Sequence, residues 1–246
     1  MTFRIAALAC AALIAAACQP AAPPGPTNDE VIAAYRDRLA AKKQAIIDVM
    51  GSLPDTITVQ PVKGAVAPFK SGAGPDAEDG NVAFFAAETF IDGGAGAPFS
   101  LSMYSSLANA LEWTSPVLPY TPFSGTDTAE PDVAKTLEEA LATPFVAFYS
   151  QVKREDPVLK DTGMFTPGYI IIDLLLVELA HANVVADCRA SVISSKDLSI
   201  NTDNGGVMTQ ELLTIAGNSD FRKQVGDSLA TCLKEQTGSA FAFPSY

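Results

Sequence analysis

The chain has 246 residues and a formal net charge of −12 at pH 7, with 16 Lys and Arg residues against 28 Asp and Glu residues. This acidic balance excludes nucleic acid as a partner and disfavours contact with anionic lipid headgroups, because both carry negative charge. Hydrophobic residues make up 48% of the chain and charged residues 18%, which is typical of a globular protein rather than a disordered one.

The N-terminal segment has the three parts of a secretory signal peptide. Arg4 supplies a positive charge near the start, residues 5–17 form an apolar stretch, and small residues precede Cys18. The apolar stretch is too short to span a bilayer, which takes about 20 residues. Residues 1–17 are therefore predicted to be a signal peptide, and Cys10 is removed with it.

The run from Leu13 to Cys18 (LIAAAC) resembles the lipobox of bacterial lipoproteins. The resemblance implies that Cys18 receives a diacylglycerol on its sulfur, becomes the first residue after cleavage, and is then N-acylated. Ala15 stands where the lipobox usually has Leu, and the alternative is an ordinary signal peptide that leaves Cys18 as a free thiol. Gln19 rather than Asp follows the cysteine. The resemblance therefore implies anchoring in a lipid bilayer through Cys18, at the outer membrane and facing the periplasm.

The mature chain begins with a Pro-rich tether at 18–27 and continues as a single predicted α+β domain at 28–246. Thr27 and Glu30 have the spacing of a capping box, and apolar residues recur behind them at helical spacing. This pattern predicts a first helix that ends near Gly51.

The middle of the chain alternates between regular segments and long loops. Strands are predicted at 56–62 and 82–91, and helices at 99–113 and 133–141. Between the two helices lies a loop with four prolines, which also carries aromatic residues. The candidate binding loop is defined by Trp113, Tyr120 and Phe123. These rings either contact a partner or fold under the loop and fill the core.

The second half of the chain contains three strand-like segments, at 145–152, 169–179 and 184–194. Helices follow, one at 209–216 and another that begins with a cap at Ser219. This order predicts an α+β fold, in which an antiparallel sheet is covered by helices on at least one face.

Cys188 and Cys232 are the cysteines that remain besides Cys18 in the mature chain. Apolar residues occupy the even positions of the strand at 184–192, which places Cys188 on the buried face. Cys232 lies on the apolar stripe of the last helix. Such a pair in an exported protein predicts a disulfide. Metal ligation is the alternative, and it requires further His or Cys ligands.

Catalytic motifs are weak in this chain. His181 is the single histidine and lies in a predicted turn at 180–183, where we expect neither an orienting partner nor a cleft. Ser150 and Lys153 match the letters of an S-x-x-K motif, but a strand is expected to point them to opposite faces. The sequence therefore predicts no catalytic residue, no metal and no cofactor.

The function that the sequence predicts is correspondingly general. It is that of an envelope lipoprotein which binds or scaffolds another envelope protein without catalysing a reaction. The alternative is a carrier that holds a small apolar ligand between the sheet and the helices. A hydrolytic enzyme of unknown type is the third hypothesis.

Overall fold

The computed structural model describes residues 26–53, 58–59, 81–87, 90, 107, 110–111, 133–160, 164–198, 208–241 and 243. Within them the helices are α1 (Asn28–Ser52), α2 (Val133–Ala142) and α3 (Gln210–Thr237). The strands are β1 (Val82–Ala86), β2 (Phe145–Glu155), β3 (Val158–Leu159), β4 (Phe165–Thr166), β5 (Tyr169–Glu178) and β6 (Asn183–Ile193). The predicted strand at 56–62 and the predicted helix at 99–113 lie mostly outside the described residues.

The predicted start of α1 is confirmed by its capping box. The backbone N–H of Glu30 donates to the Thr27 hydroxyl at 3.3 Å, and the backbone N–H of Thr27 donates to the Glu30 carboxylate at 2.8 Å. Two N–H groups that the first turn leaves without helical partners are thereby satisfied. The helix then buries Ile32, Leu39 and Ile46 on one stripe.

A four-stranded sheet in the order β1-β2-β5-β6 forms the centre of the protein. β2, β5 and β6 pair antiparallel, whereas β1 pairs parallel with β2. The predicted α+β class is thus confirmed, with a mixed and mostly antiparallel sheet. A parallel pair requires a crossover connection, and α2 lies in the chain between β1 and β2.

Helices cover both faces of this sheet. α3 packs on one face, where the buried side chains include Phe145, Ile172, Leu174, Phe221, Leu229 and Phe241. α1 and α2 pack on the other face, where the buried side chains include Leu39, Ile46, Leu137, Val146, Phe148 and Val177. Burial on both faces explains why β5 is apolar at consecutive positions instead of alternating.

α3 corrects the prediction of two C-terminal helices. It is continuous from Gln210 to Thr237, so Ser219 lies inside the helix and caps nothing. Gly217, which lies within this continuous helix, permits close packing, since a Cβ there would lie 2.8 Å from Cγ of Pro157. At the start of α3, the backbone N–H of Leu212 donates to the Thr209 hydroxyl at 3.2 Å. At its end, Gly238 adopts the left-handed conformation, with φ of 75°.

Glu138 joins α2 to α1 through a compact polar contact. The Tyr35 hydroxyl donates to one carboxylate oxygen of Glu138 at 2.6 Å. The two terminal nitrogens of Arg38 donate to both oxygens at 2.9 and 3.1 Å. The hydrogen bonds from Arg38 and then from Tyr35 lower the pKa of Glu138 below its ordinary value.

We expect Glu138→Gln to weaken the pH dependence of the unfolding free energy. The pKa of Glu138 is lower in the folded state, so its carboxylate stabilises the fold above the unfolded pKa of about 4.3. That contribution is lost as the pH falls through the folded pKa, and the Gln variant lacks it at every pH. Urea titrations between about pH 3 and about pH 7 measure the difference. Glu139→Gln is the matched control, and equal behaviour of the two variants would contradict the prediction.

Candidate functional site

A cleft of about 760 Å³ opens on the sheet where α1 ends, and we call it the sheet cleft. Its apolar lining residues are Met50, Leu53, Ala87, Phe148 and Leu175. Its other lining residues are Tyr149, Ser150, Asp173, Asp187 and Arg189. Half of these ten lining residues are apolar, and the volume falls within the range of about 300–1,000 Å³ that is typical of small-molecule binding sites.

The register of the sheet brings the polar lining residues together. Ser150 of β2 lies opposite Asp173 of β5, and Asp173 lies opposite Arg189 of β6. One row along, Leu175 lies opposite Asp187. Directly opposite residues share a face of the sheet. Three strands therefore contribute to one polar row of Ser150, Asp173 and Arg189, beside a row in which Phe148 and Leu175 are apolar and Asp187 is acidic.

Arg189 and Asp173 form the centre of the polar row. Nε of Arg189 donates to one oxygen of Asp173 and Nη2 donates to the other, each at 2.6 Å. This bidentate geometry fixes the plane of the guanidinium. The hydrogen bond to Asp173, the charge of Asp173 and the charge of Asp187 all raise the pKa of Arg189.

The sheet cleft is therefore suited to binding through charge and hydrogen bonds. The cleft lining holds two carboxylates, of Asp173 and Asp187, and one guanidinium, of Arg189, so the lining has a net negative charge. A guanidinium does not give up its proton in proteins, which makes Arg189 a poor proton donor for catalysis. The Ser150 hydroxyl donates and accepts hydrogen bonds. This arrangement can orient a polar group while the apolar wall contacts the rest of a ligand.

The predicted turn around His181 is confirmed between β5 and β6, but the expectation that His181 lacks a partner is wrong. Its Nδ1 lies 3.1 Å from a carboxylate oxygen of Glu178, and the amide of Asn183 donates to the same oxygen at 3.3 Å. The Glu178 side chain is 2% exposed, and that of His181 is 61% exposed. Sequence analysis did not identify Glu178 as a partner for His181.

A histidine and carboxylate pair is only part of a hydrolytic site, which also requires a nucleophile. Among the residues that the structure describes, no hydrogen bond joins His181 to a hydroxyl or thiol group. Neither His181 nor Glu178 lines the sheet cleft. The pair is therefore best explained as a structural contact, in which His181 supplies a hydrogen-bond partner for the buried carboxylate of Glu178.

Ser150 and Lys153 lie on the same face of the sheet, which corrects the expectation of opposite faces. A register shift between Gln151 and Lys153 brings Lys153 opposite Ile171. The hydrogen bond with Tyr169 is the largest cause that raises the pKa of Lys153. A raised pKa keeps the ammonium protonated, whereas a general base must be free of its proton. These residues therefore do not form an acyl-transfer pair.

The predicted disulfide between Cys188 and Cys232 is confirmed, with Cα atoms 5.9 Å apart. Cys188 is buried on the α3 face of β6. Its neighbours Asp187 and Arg189 line the sheet cleft from the other face. The disulfide consequently fixes to α3 the strand that supplies part of the polar row.

Other predictions on functional residues concern parts of the chain outside the described residues. These residues are Cys18, Trp113, Tyr120 and Phe123. No group of three or more His, Cys, Asp or Glu side chains within the described ranges is arranged to hold a metal ion. None of the described helices is long and apolar enough to cross a membrane.

Sequence analysis placed a possible ligand between the sheet and the helices but named none of the residues that line the sheet cleft. Two local signals mark it: Asp173 interrupts the apolar run of β5, and Arg189 lies at an outward position of the alternating strand β6. Their pairing depends on the register between the two strands, which neither segment specifies alone.

No protein-family model and no curated protein sequence matches the chain. The chain is similar to a hypothetical protein from Chlamydia trachomatis whose structure was solved at 1.65 Å. The two share 12% sequence identity over 65% of this chain and 95% of that chain, with a TM-score of 0.26. A similarity of this size carries no argument about fold or function.

Proposed function

We propose that this protein is a lipid-anchored binding protein of the bacterial cell envelope, which holds a small amphipathic ligand in the sheet cleft without catalysing a reaction. The observation that carries the proposal is the composition of the cleft, with apolar side chains around a fixed Asp173–Arg189 pair. This composition favours the hypothesis that the protein carries a small ligand. The polar side chains of the cleft indicate that the ligand has a polar end as well as an apolar body.

The lipid anchor and the envelope location rest on separate observations. The N-terminal segment resembles a lipoprotein signal, and Cys18 is the acceptor that the resemblance implies. The disulfide between Cys188 and Cys232 is typical of proteins that fold in an oxidising compartment. We place the protein at the outer membrane, with the domain in the periplasm.

We further propose that the protein catalyses no reaction, and the chemistry of two side chains supports this. Arg189 holds its protons, and the raised pKa of Lys153 keeps that side chain charged. Scaffolding of another envelope protein is a second candidate function, and the open edge of β6 described below favours it.

Filling the sheet cleft with an aromatic ring is expected to abolish ligand binding. Nile red is a suitable probe because it is apolar and fluoresces more strongly away from water. We expect saturable dye binding by the wild type, and Ser150→Phe to weaken it by about tenfold or more, since the ring occupies the polar row beside the apolar wall.

Val152→Phe is the matched control for this experiment. Val152 lies on the same strand, is 53% exposed and does not line the cleft, so the variant should bind the dye like the wild type. Thermal melts establish that both variants are folded. Equal dye affinity of the two variants, or no dye binding by the wild type, would count against the proposed function.

A further inference from the structure

β6 forms one edge of the sheet. Its backbone N–H and carbonyl groups point alternately inward, toward β5, and outward, away from the sheet. The backbone N–H of Ser194 donates inward, to the carbonyl of Gly168 at 2.9 Å. The N–H and carbonyl of Asp187 point outward, because both bond to the side chain of Gln236, at 3.0 and 2.7 Å. Antiparallel pairing repeats every second residue, and the register with β5 shows no shift beyond Ala186. Asp187, Arg189, Ser191 and Ile193 therefore carry the outward groups.

Side chains of α3 close this edge at both ends. The Gln236 amide occupies the position of a neighbouring strand beside Asp187. At the other end, the backbone N–H of Ser195 donates to the Asp220 carboxylate at 2.6 Å, and the Ser195 hydroxyl donates to it at 2.7 Å. The edge of β6 is therefore protected at its two ends, whereas most native edge strands are protected along their length.

The open part consists of Arg189, Ser191 and Ile193. Among the described residues, none hydrogen-bonds to the outward backbone groups of these three. The side chains of Arg189 and Ile193 are 63% and 67% exposed, and Ser191 is also exposed. Unpaired backbone N–H and carbonyl groups on alternate residues of an edge strand form a template for another strand.

We propose that the open edge of β6 binds a short extended segment of a partner protein, which adds to the sheet as a fifth strand. Residues 189–193 offer about 16 Å of edge at about 3.3 Å per residue, which matches a segment of about five residues. The backbone of the segment pairs with Arg189, Ser191 and Ile193.

A second copy of the chain does not fit this edge. Antiparallel pairing of two β6 strands about Ser191 places Ser195 of each copy opposite Asp187 of the other. Gln236 already fills that position beside Asp187, and Asp220 fills the equivalent position beside Ser195. A free segment that ends before both closures avoids this conflict.

The charges around the edge select a basic segment. Asp187 lies at one end and Asp220 at the other, and Asp173 neutralises Arg189 between them. The whole chain carries a formal charge of −12. A β-branched centre with a basic residue at each end therefore complements the edge, since β-branched residues favour strands and the basic ends meet the carboxylates.

The test uses a fluorescein-labelled KVTVTVK peptide and fluorescence anisotropy with the intact domain. Ser191→Pro removes an outward N–H and leaves the inward hydrogen bonds to β5, because proline is tolerated at sheet edges. We expect saturable binding by the wild type, a loss of about tenfold or more in Ser191→Pro, and wild-type affinity in Ser191→Thr, which keeps the N–H.

Two further peptides keep the test valid if the proline variant does not fold. Methylation of the peptide amides that face β6 should abolish binding to the wild type, and EVTVTVE should bind more weakly than KVTVTVK. Equal binding of the methylated peptide, no binding of KVTVTVK, or a dimer of the protein that Ser191→Pro disrupts would each overturn the proposal. Ser191 does not line the sheet cleft, so this experiment and the dye experiment fail independently.

Discussion

Removal of the Cys188–Cys232 disulfide, by changing both residues to alanine, will lower the free energy of unfolding by about 3–4 kcal/mol. The bridge closes a loop with a sequence separation of 44 residues, and it restricts the unfolded chain over that length. Alanine at both positions avoids a buried hydroxyl at Cys188, which is 1% exposed. Guanidinium chloride titrations of the variant and the wild type measure the difference.

Reduction of the wild type provides the control for this prediction. The reduced protein keeps both side-chain volumes and loses only the covalent link, so it separates the bridge from the effect of a cavity. We expect reduction to account for most of the loss. A wild type that is equally stable in oxidised and reduced form would refute the prediction.

The disulfide also links the two features proposed to bind ligands. Cys232 and Gln236 are four residues apart on α3 and share one side of the helix. Nε2 of Gln236 lies 3.3 Å from the Cys232 sulfur, while the same amide closes the β6 edge at Asp187. The bridge therefore holds in place both the strand that lines the sheet cleft and the side chain that limits the open edge.

Local sequence signals predicted the parts of the fold that depend on local chemistry. Thr27 and Glu30 identified the start of α1, because a capping box is complete within four residues. Alternation along β6 placed Cys188 on the buried face, and helical spacing placed Cys232 on the facing stripe. Two independent periodicities thus predicted the disulfide, although the residues are far apart in the chain.

The remaining features depend on pairing between distant segments. Ser150 and Lys153 were assigned to opposite faces because a bulge leaves no clear mark in the sequence. The continuity of α3 through Gly217 was missed, since a glycine that permits close packing cannot be recognised before its partner, Pro157, is known. The residues that line the sheet cleft were missed because Asp173 and Arg189 meet only through strand register.

Cys18→Ala removes the proposed lipid acceptor, and its largest expected effect is on the N-terminus of the protein. We expect the wild type to carry acyl chains and to sediment with membranes, and the variant to be unlipidated, because alanine has no thiol to accept the diacylglycerol. Each buried methylene contributes about 0.8 kcal/mol, and two or more acyl chains give stable anchoring. The acidic domain, with a formal charge of −12 for the whole chain, offers no electrostatic attraction to anionic lipids that would replace the chains.

Cys10→Ala is the matched control for the anchor, because Cys10 lies in the apolar stretch of the predicted signal peptide. We expect this variant to remain in the membrane fraction, with the same acylated N-terminus as the wild type. Mass spectrometry of the mature N-terminus identifies both the first residue and its modification. An unmodified wild-type N-terminus, or acyl chains on the Cys18→Ala protein, would refute the lipid anchor and leave the sheet cleft and the β6 edge as independent proposals.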